Sequence, residues 1–184
     1  MSSKPNLTPY LGGYSESLRE QIGRSISDGK LGAHFLAKYP ALHQVRNERA
    51  LQVYVADLKN SHLRSAPPLS KVCYDNQIHV IRNALGTHTT ISRVQGLKLK
   101  TKREIRIATM FRSMPEAFLK MIVVHELAHM RISEHDKAFY QLCCHMEPAY
   151  HQYEFDLRAY LSWRAAGGAD PWQPLTSEDA QIKA

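Results

Sequence analysis

The run His125-Glu126-Leu127-Ala128-His129 has residue types and spacing that could do chemistry. Histidines four apart on a helix project from one face, so both imidazoles can reach a single zinc ion. Glu126 need not bind the metal. It can accept a proton from zinc-bound water and deliver it to a leaving group. Composition alone yields this five-residue pattern about 3% of the time, and requiring a further histidine at a fixed later position lowers that roughly twentyfold. His135, six residues after His129, is the expected third ligand. Three imidazoles would leave one coordination position open for water, as in a catalytic rather than a structural site. Glu147 and Glu154 compete for the third place, because some zinc enzymes use two histidines and a glutamate. A closed fourth position would instead make a structural zinc module that unfolds on chelation. The expected reaction is hydrolysis: zinc polarises a scissile carbonyl, Glu126 is the general base, and a nearby donor holds the oxyanion. Tyr140, Tyr150, His151 and Tyr153 are candidates for that donor.

These residues need a frame. Ser113-Met-Pro-Glu116 predicts a helix start, with the serine as cap and Pro115 in the first turn, and the helix should run to about Arg131. A second helix is expected from Ser133, with Asp136 in its first turn, ending before Pro148. A third should reach Ala166, where Gly167 and Gly168 terminate it. Upstream, the β-branched runs Val72 to Tyr74, Ile78 to Arg82, Thr89 to Val94 and Glu104 to Thr109 read as strands of an antiparallel sheet. Ile105 and Ile107 should face inward, and Asp75-Asn76 and Thr101-Lys102 should be turns. Leu51, Tyr54, Val55 and Leu58 form one apolar helical face between Pro40 and about Arg64. Pro67 and Pro68 mark a soft boundary. The expected organisation is an N-terminal helical extension over 1–66, a catalytic core over 67–166 and an irregular tail over 167–184 pinned by Trp172. The fold class is α+β: a small antiparallel or mixed sheet packed on the active-site helix.

The chain of 184 residues suits one domain or a compact core with an extension. Residues 1–19 lack the apolar run of a secretory signal, and Met121 to Val124 is too short to span a bilayer, so no membrane partner is expected. Three cysteines, Cys73 and the adjacent Cys143 and Cys144, make a poor disulfide framework and fit a reducing cytoplasm. The net charge of +7 is uneven: residues 1–112 carry 18 basic and 7 acidic side chains, residues 113–184 carry 6 and 10. The basic half could attract nucleic acid, although a solvated surface gives the same count. Lys98, Lys100, Lys102, Arg103 and Arg106 fit either a solvated hairpin or a strand that captures an extended peptide.

The run from His125 to His129, followed after five residues by His135-Asp-Lys-Ala-Phe139-Tyr140, resembles the YgjP-like metallopeptidases, a branch of the zincins. Glu104-Ile-Arg-Ile-Ala-Thr-Met, Pro115 and Val123-Val124 resemble that family's lead into its motif. The resemblance spans about Val94 to Tyr160 and leaves the first 65 residues unaccounted for. It implies a zincin-like fold, zinc on His125, His129 and His135, Glu126 as catalytic base, and a peptide or protein substrate. Where that family commonly has a Trp-Gly-Ser-Cys-like segment, this chain has Val94-Gln95-Gly96-Leu97 and keeps only the glycine. Metzincins share the histidine spacing but carry glycine where this chain has Ile132. Zinc proteases that digest DNA-bound proteins have a similar His-Asp-x-x-Phe ending.

Overall fold

The computed structural model describes residues 8–78, 86–95 and 98–173, with side chains for 10–78 and 103–173. It contains helices α1 (Thr8–Leu11), α2 (Glu16–Ser27), α3 (Leu31–Lys38) and α4 (Glu48–His62), and strands β1 (Lys71–Asp75), β2 (Gly86–Gln95) and β3 (Lys98–Ala108). A 3-10 turn over Thr109–Ser113 leads into α5 (Glu116–Ala128), α6 (Lys137–Met146) and α7 (Tyr150–Ala165). The architecture is α+β. Two compact units are formed, one by residues 1–42 with 154–184 and the other by 43–153, whereas the sequence reading put a soft boundary at the Pro67-Pro68 pair.

In the second unit the sheet has the order β1-β3-β2 and is mixed. β2 and β3 form an antiparallel hairpin in register Gln95↔Lys98, but β1 runs parallel to β3, with Val72 opposite Ile105. The expectation of an antiparallel sheet is corrected in this respect. A hairpin advertises itself through local sequence, whereas the partner of β1 lies some thirty residues away. Thr101 and Lys102 lie inside β3 rather than in a turn. Of the run Ile78 to Arg82, Ile78 is outside any strand and the rest lies outside the described residues.

From Glu104 to Ile107 β3 is paired on both sides, so that stretch has no edge with which to capture an extended peptide. The outer side of β1 is occupied by polar groups of α4: Glu48 Oε1 accepts from the Tyr74 N–H at 3.2 Å, and Gln52 Nε2 donates to the Val72 carbonyl at 3.5 Å. One turn apart on α4, these two residues act in place of a neighbouring strand.

Apolar periodicity builds the core. Ile105 and Ile107 on β3 are fully buried, as their alternation predicts, with Leu51 and Val55 of α4 and Phe111 of the 3-10 turn. α5 packs against β2, β3, α4 and α6 and buries nine of its thirteen residues, so it is apolar nearly all round. Its start differs from expectation. Ser113 ends the 3-10 turn and Pro115 holds the cap position without a side-chain bond, because proline has no N–H to satisfy and supplies the carbonyl that Phe118 N meets at 3.1 Å.

The first unit is helical. Buried Asp156 accepts from Tyr39 Oη at 2.5 Å and Lys38 Nζ at 2.6 Å, beside Phe35 and Tyr160. α7 ends as expected, with Gly167 at φ 85° and the Gly168 N–H bonded to the Trp163 carbonyl at 2.9 Å. A Cβ on Gly168 would fall 2.1 Å from the Trp163 ring. Trp172 pins the chain after α7 through a 2.7 Å bond from Nε1 to the Tyr39 carbonyl, and residues 174–184 of the expected tail lie outside the described residues.

Replacing Ile107 with alanine leaves a cavity under α5 and should lower unfolding free energy by about 3 kcal/mol. Urea denaturation measures this, with an unchanged slope expected because the exposed surface barely alters.

Candidate metal centre

Histidine positions 125 and 129 lie one turn apart where α5 ends. Leu127 and Ala128 are buried on its inner side, which turns both imidazoles outward from the core. α5 stops at Ala128, three residues short of the expected Arg131, and His129 is its C-cap residue. The chain then tightens, with Met130 N bonded to the Leu127 carbonyl and Ile132 N to the Ala128 carbonyl, both at 3.0 Å. α6 begins later than expected. Asp136 rather than Ser133 caps it, accepting from Phe139 N at 2.9 Å. The delay has a purpose in the geometry: it leaves His135 one residue ahead of the cap, on a turn that returns it to α5.

Nε2 of His125, His129 and His135 form a near-equilateral triangle, with sides of 3.3 Å (125–129), 3.1 Å (129–135) and 3.1 Å (125–135). Tetrahedral zinc with nitrogens about 2.0–2.1 Å away would hold its ligands about 3.3–3.4 Å apart, so the triangle fits such an ion. The outer nitrogen of His129 fixes its tautomer. A carbonyl can only accept, so His129 Nδ1 donates to the Ile132 carbonyl at 3.0 Å and its Nε2 turns a lone pair inward. His125 Nδ1 lies 2.8 Å from Tyr150 Oη, which anchors the outer side of that ring. Burial lowers the His129 pKa, with further lowering from His135 partly offset by the Ile132 bond, and so favours the neutral, metal-ligating form.

Phe139 supports the triangle. Its ring centroid lies 5.0, 4.6 and 4.8 Å from those of His125, His129 and His135. Beyond the turn, Arg131 Nη2 donates to Ser65 Oγ at 2.6 Å.

Glu126 is 1% exposed and its Oε2 is a buried oxygen with no hydrogen-bond partner. Desolvation pushes its pKa up to about 8. The two other carboxylates weighed as ligands have different partners. Glu147 pairs with Lys120 Nζ at 2.6 Å, and Glu154 pairs with Arg158 at 2.7 Å. Among the described residues, the group able to hold a metal comprises His125, His129 and His135, with no fourth ligand.

Tyr150 entered the sequence reading as one of four oxyanion donors; here its hydroxyl positions His125 instead. Aromatic residues are common in cores, and only the fold brings α7 beside α5. Tyr140 meets Phe139 edge to face with ring centroids 5.4 Å apart and lies tilted against His151 at the same distance. Cys143 is buried and Cys144 partly so, and neither forms a disulfide. His43 is buried, donates from Nε2 to the Phe111 carbonyl at 2.7 Å and accepts from Val45 N at 3.0 Å on Nδ1.

Two outcomes test this geometry. Tyr150→Phe removes the support of His125 and should weaken zinc affinity roughly tenfold, measured by chelator competition. In the metal-free protein, burial holds the Glu126 pKa near 8 against an ordinary 4.5. Between those values the native state keeps a proton that the unfolded chain releases, so stability falls as pH rises through the window. Urea titrations at pH 5, 7 and 9 should show this fall in the wild type, and the difference from Glu126→Gln should isolate it.

Residues 77–160 match the family model described as YgjP-like, metallopeptidase domain. The chain is 58% identical, over 162 residues covering 88% of it and 96% of the relative, to the UTP pyrophosphatase of Escherichia coli strain K12. That alignment takes in most of the first 65 residues. No solved structure gives a significant match.

Proposed function

Because the chain belongs to the YgjP-like metallopeptidase family, we propose that it is a zinc-dependent hydrolase whose substrate is a nucleoside triphosphate, cleaved to a monophosphate and pyrophosphate. The observation that carries the hydrolase reading is the convergence of three Nε2 atoms beside a buried, unpartnered Glu126 carboxyl. Three nitrogen donors with no thiolate and no fourth protein ligand among the described residues suit zinc with an open position. A zinc ion held by His125, His129 and His135 would supply Lewis acidity toward a phosphoryl or carbonyl oxygen and would lower the pKa of water toward neutrality.

The chain's own residues do the rest. Glu126 takes a proton from the attacking water, as a carboxylate favoured by a cation in the centre over the neutral form that burial alone favours. The water oxygen bonds to the α-phosphorus as the bond to the bridging oxygen breaks, and pyrophosphate leaves. The Ile132 carbonyl holds His129 in its metal-facing tautomer, and the Tyr150 hydroxyl orients the His125 ring. Phe139 keeps the floor of the centre apolar.

The choice of bond rests on the relative, which shares more than half of its residues with this chain over nearly its whole length and is named for UTP. The excess of 11 positive charges in residues 1–112 suits a triphosphate. Peptide hydrolysis, the reaction first implied by the family resemblance at His125, Glu126, His129 and His135, is a second reading, supported by the family's description as a metallopeptidase domain. The same centre could serve either reaction, since both add water to a polarised electrophile.

Zinc-loaded wild type and Glu126→Gln should be compared for release of UMP and pyrophosphate from UTP, with cleavage of an unfolded protein assayed in parallel. The wild type should turn over UTP, and the variant should keep one zinc per chain while losing about 10²–10⁴-fold in rate. Protein cleavage without UTP turnover would move the chain to the peptidase reading. Activity toward neither would overturn catalysis.

A further inference from the structure

Between α4 and β1 lies a cavity of about 360 Å³, lined along α4 by Gln52, Ala56, Lys59 and Asn60 and along the approach to β1 by residues 68–72. None of the residues of the histidine centre lines it. Its volume falls in the range of small-molecule sites, and its walls are of two kinds. Ala56, Pro68, Leu69 and Val72 are apolar, while Gln52, Asn60, Ser70, Lys59 and Lys71 carry hydrogen-bonding or cationic groups. There is no carboxylate among them.

Lys59 is the unusual member. It is only 9% exposed, yet no carboxylate pairs with it among the described residues. The sequence from Asn76 to Arg103 contains neither aspartate nor glutamate, so that stretch offers no counter-ion. Lysine is rarely this buried without a carboxylate partner; its apolar stem can be covered while the ammonium keeps access to solvent. The cavity thus combines a mostly covered lysine with no carboxylate partner among the described residues, a second lysine at its rim, amide groups able to read a donor–acceptor edge, and apolar surface for a planar ring.

We propose that this cavity is a nucleotide-binding site, in which Lys59 and Lys71 meet phosphate oxygens and the base lies against Pro68, Leu69 and Val72. Lys59 holds the phosphate as a point charge, and binding gives it the counter-ion that the described residues do not supply. The assignment rests on the function proposed above only in its choice of a uridine nucleotide as probe.

The test is calorimetric titration of UMP and, separately, of inorganic phosphate into the zinc-loaded full chain, as wild type and as Lys59→Met. UMP should bind the wild type saturably and more weakly as salt rises, and Lys59→Met should weaken it at least tenfold. The melting temperature of ligand-free Lys59→Met should be unchanged or higher, since methionine keeps the apolar stem and no ion pair among the described residues is lost. Equal UMP affinity in both proteins would overturn the inference. So would phosphate binding the wild type as tightly as UMP does, which marks an anion site without a base. If Lys59→Met does not fold, Lys71→Met and Asn60→Ala should each weaken UMP several-fold, and wild-type affinity in both overturns the proposal. UTP turnover with affinity untouched by Lys59→Met would sink this inference alone. Lys59-dependent UMP binding without UTP turnover would sink the catalytic reading alone.

Discussion

Three imidazole nitrogens held 3.1–3.3 Å apart repel one another wherever their lone pairs meet, unless a cation lies between them. Much of the second compact unit can be understood as the means of holding that arrangement. α5 is fixed because nine of its residues are buried, and rotating it would expose Val123, Val124 and Leu127. The Ile132 carbonyl and the Tyr150 hydroxyl lock two rings, and Phe139 limits the tilt of all three. Asp136 sets where the returning helix starts and so where His135 stands. Packing energy spread over many apolar contacts thus opposes a concentrated electrostatic strain.

Glu126 belongs to the same balance. Burial alone favours its neutral form, whereas a divalent ion nearby favours the carboxylate. The two opposing influences couple ion binding to proton release, and they make the acid responsive to what occupies the centre. An exposed glutamate at the same position would lack this coupling, since water would screen both effects.

The centre was more legible in the sequence than the sheet that supports it. Spacings of four and six residues are local, and a helix followed by a turn converts them directly into convergence of His125, His129 and His135. The burial of Ile105 and Ile107 followed from alternation in the same way. What the sequence did not disclose depends on distant partners. β1 pairs in parallel with a strand thirty residues away, Tyr150 reaches His125 from another helix, and Lys59 lies on an apolar helical face that periodicity assigns to Leu51, Tyr54, Val55 and Leu58. Caps were misread for a related reason. Ser113 and Ser133 have capping chemistry, but the 3-10 turn absorbs the first and the path of His135 to the centre puts the helix start at Asp136 instead.

The bonds from Glu48 and Gln52 to the outer side of β1 have a consequence for life in a crowded solution. A bare strand edge is a template on which a second copy can extend the sheet, and repeated addition leads to aggregates. Here the Tyr74 N–H and the Val72 carbonyl, which would begin such pairing, are already engaged by side chains one helical turn apart. Because those side chains belong to the same chain, the protection forms as α4 docks, without any dependence on protein concentration. A helix that helps to enclose a cavity also closes the end of a sheet.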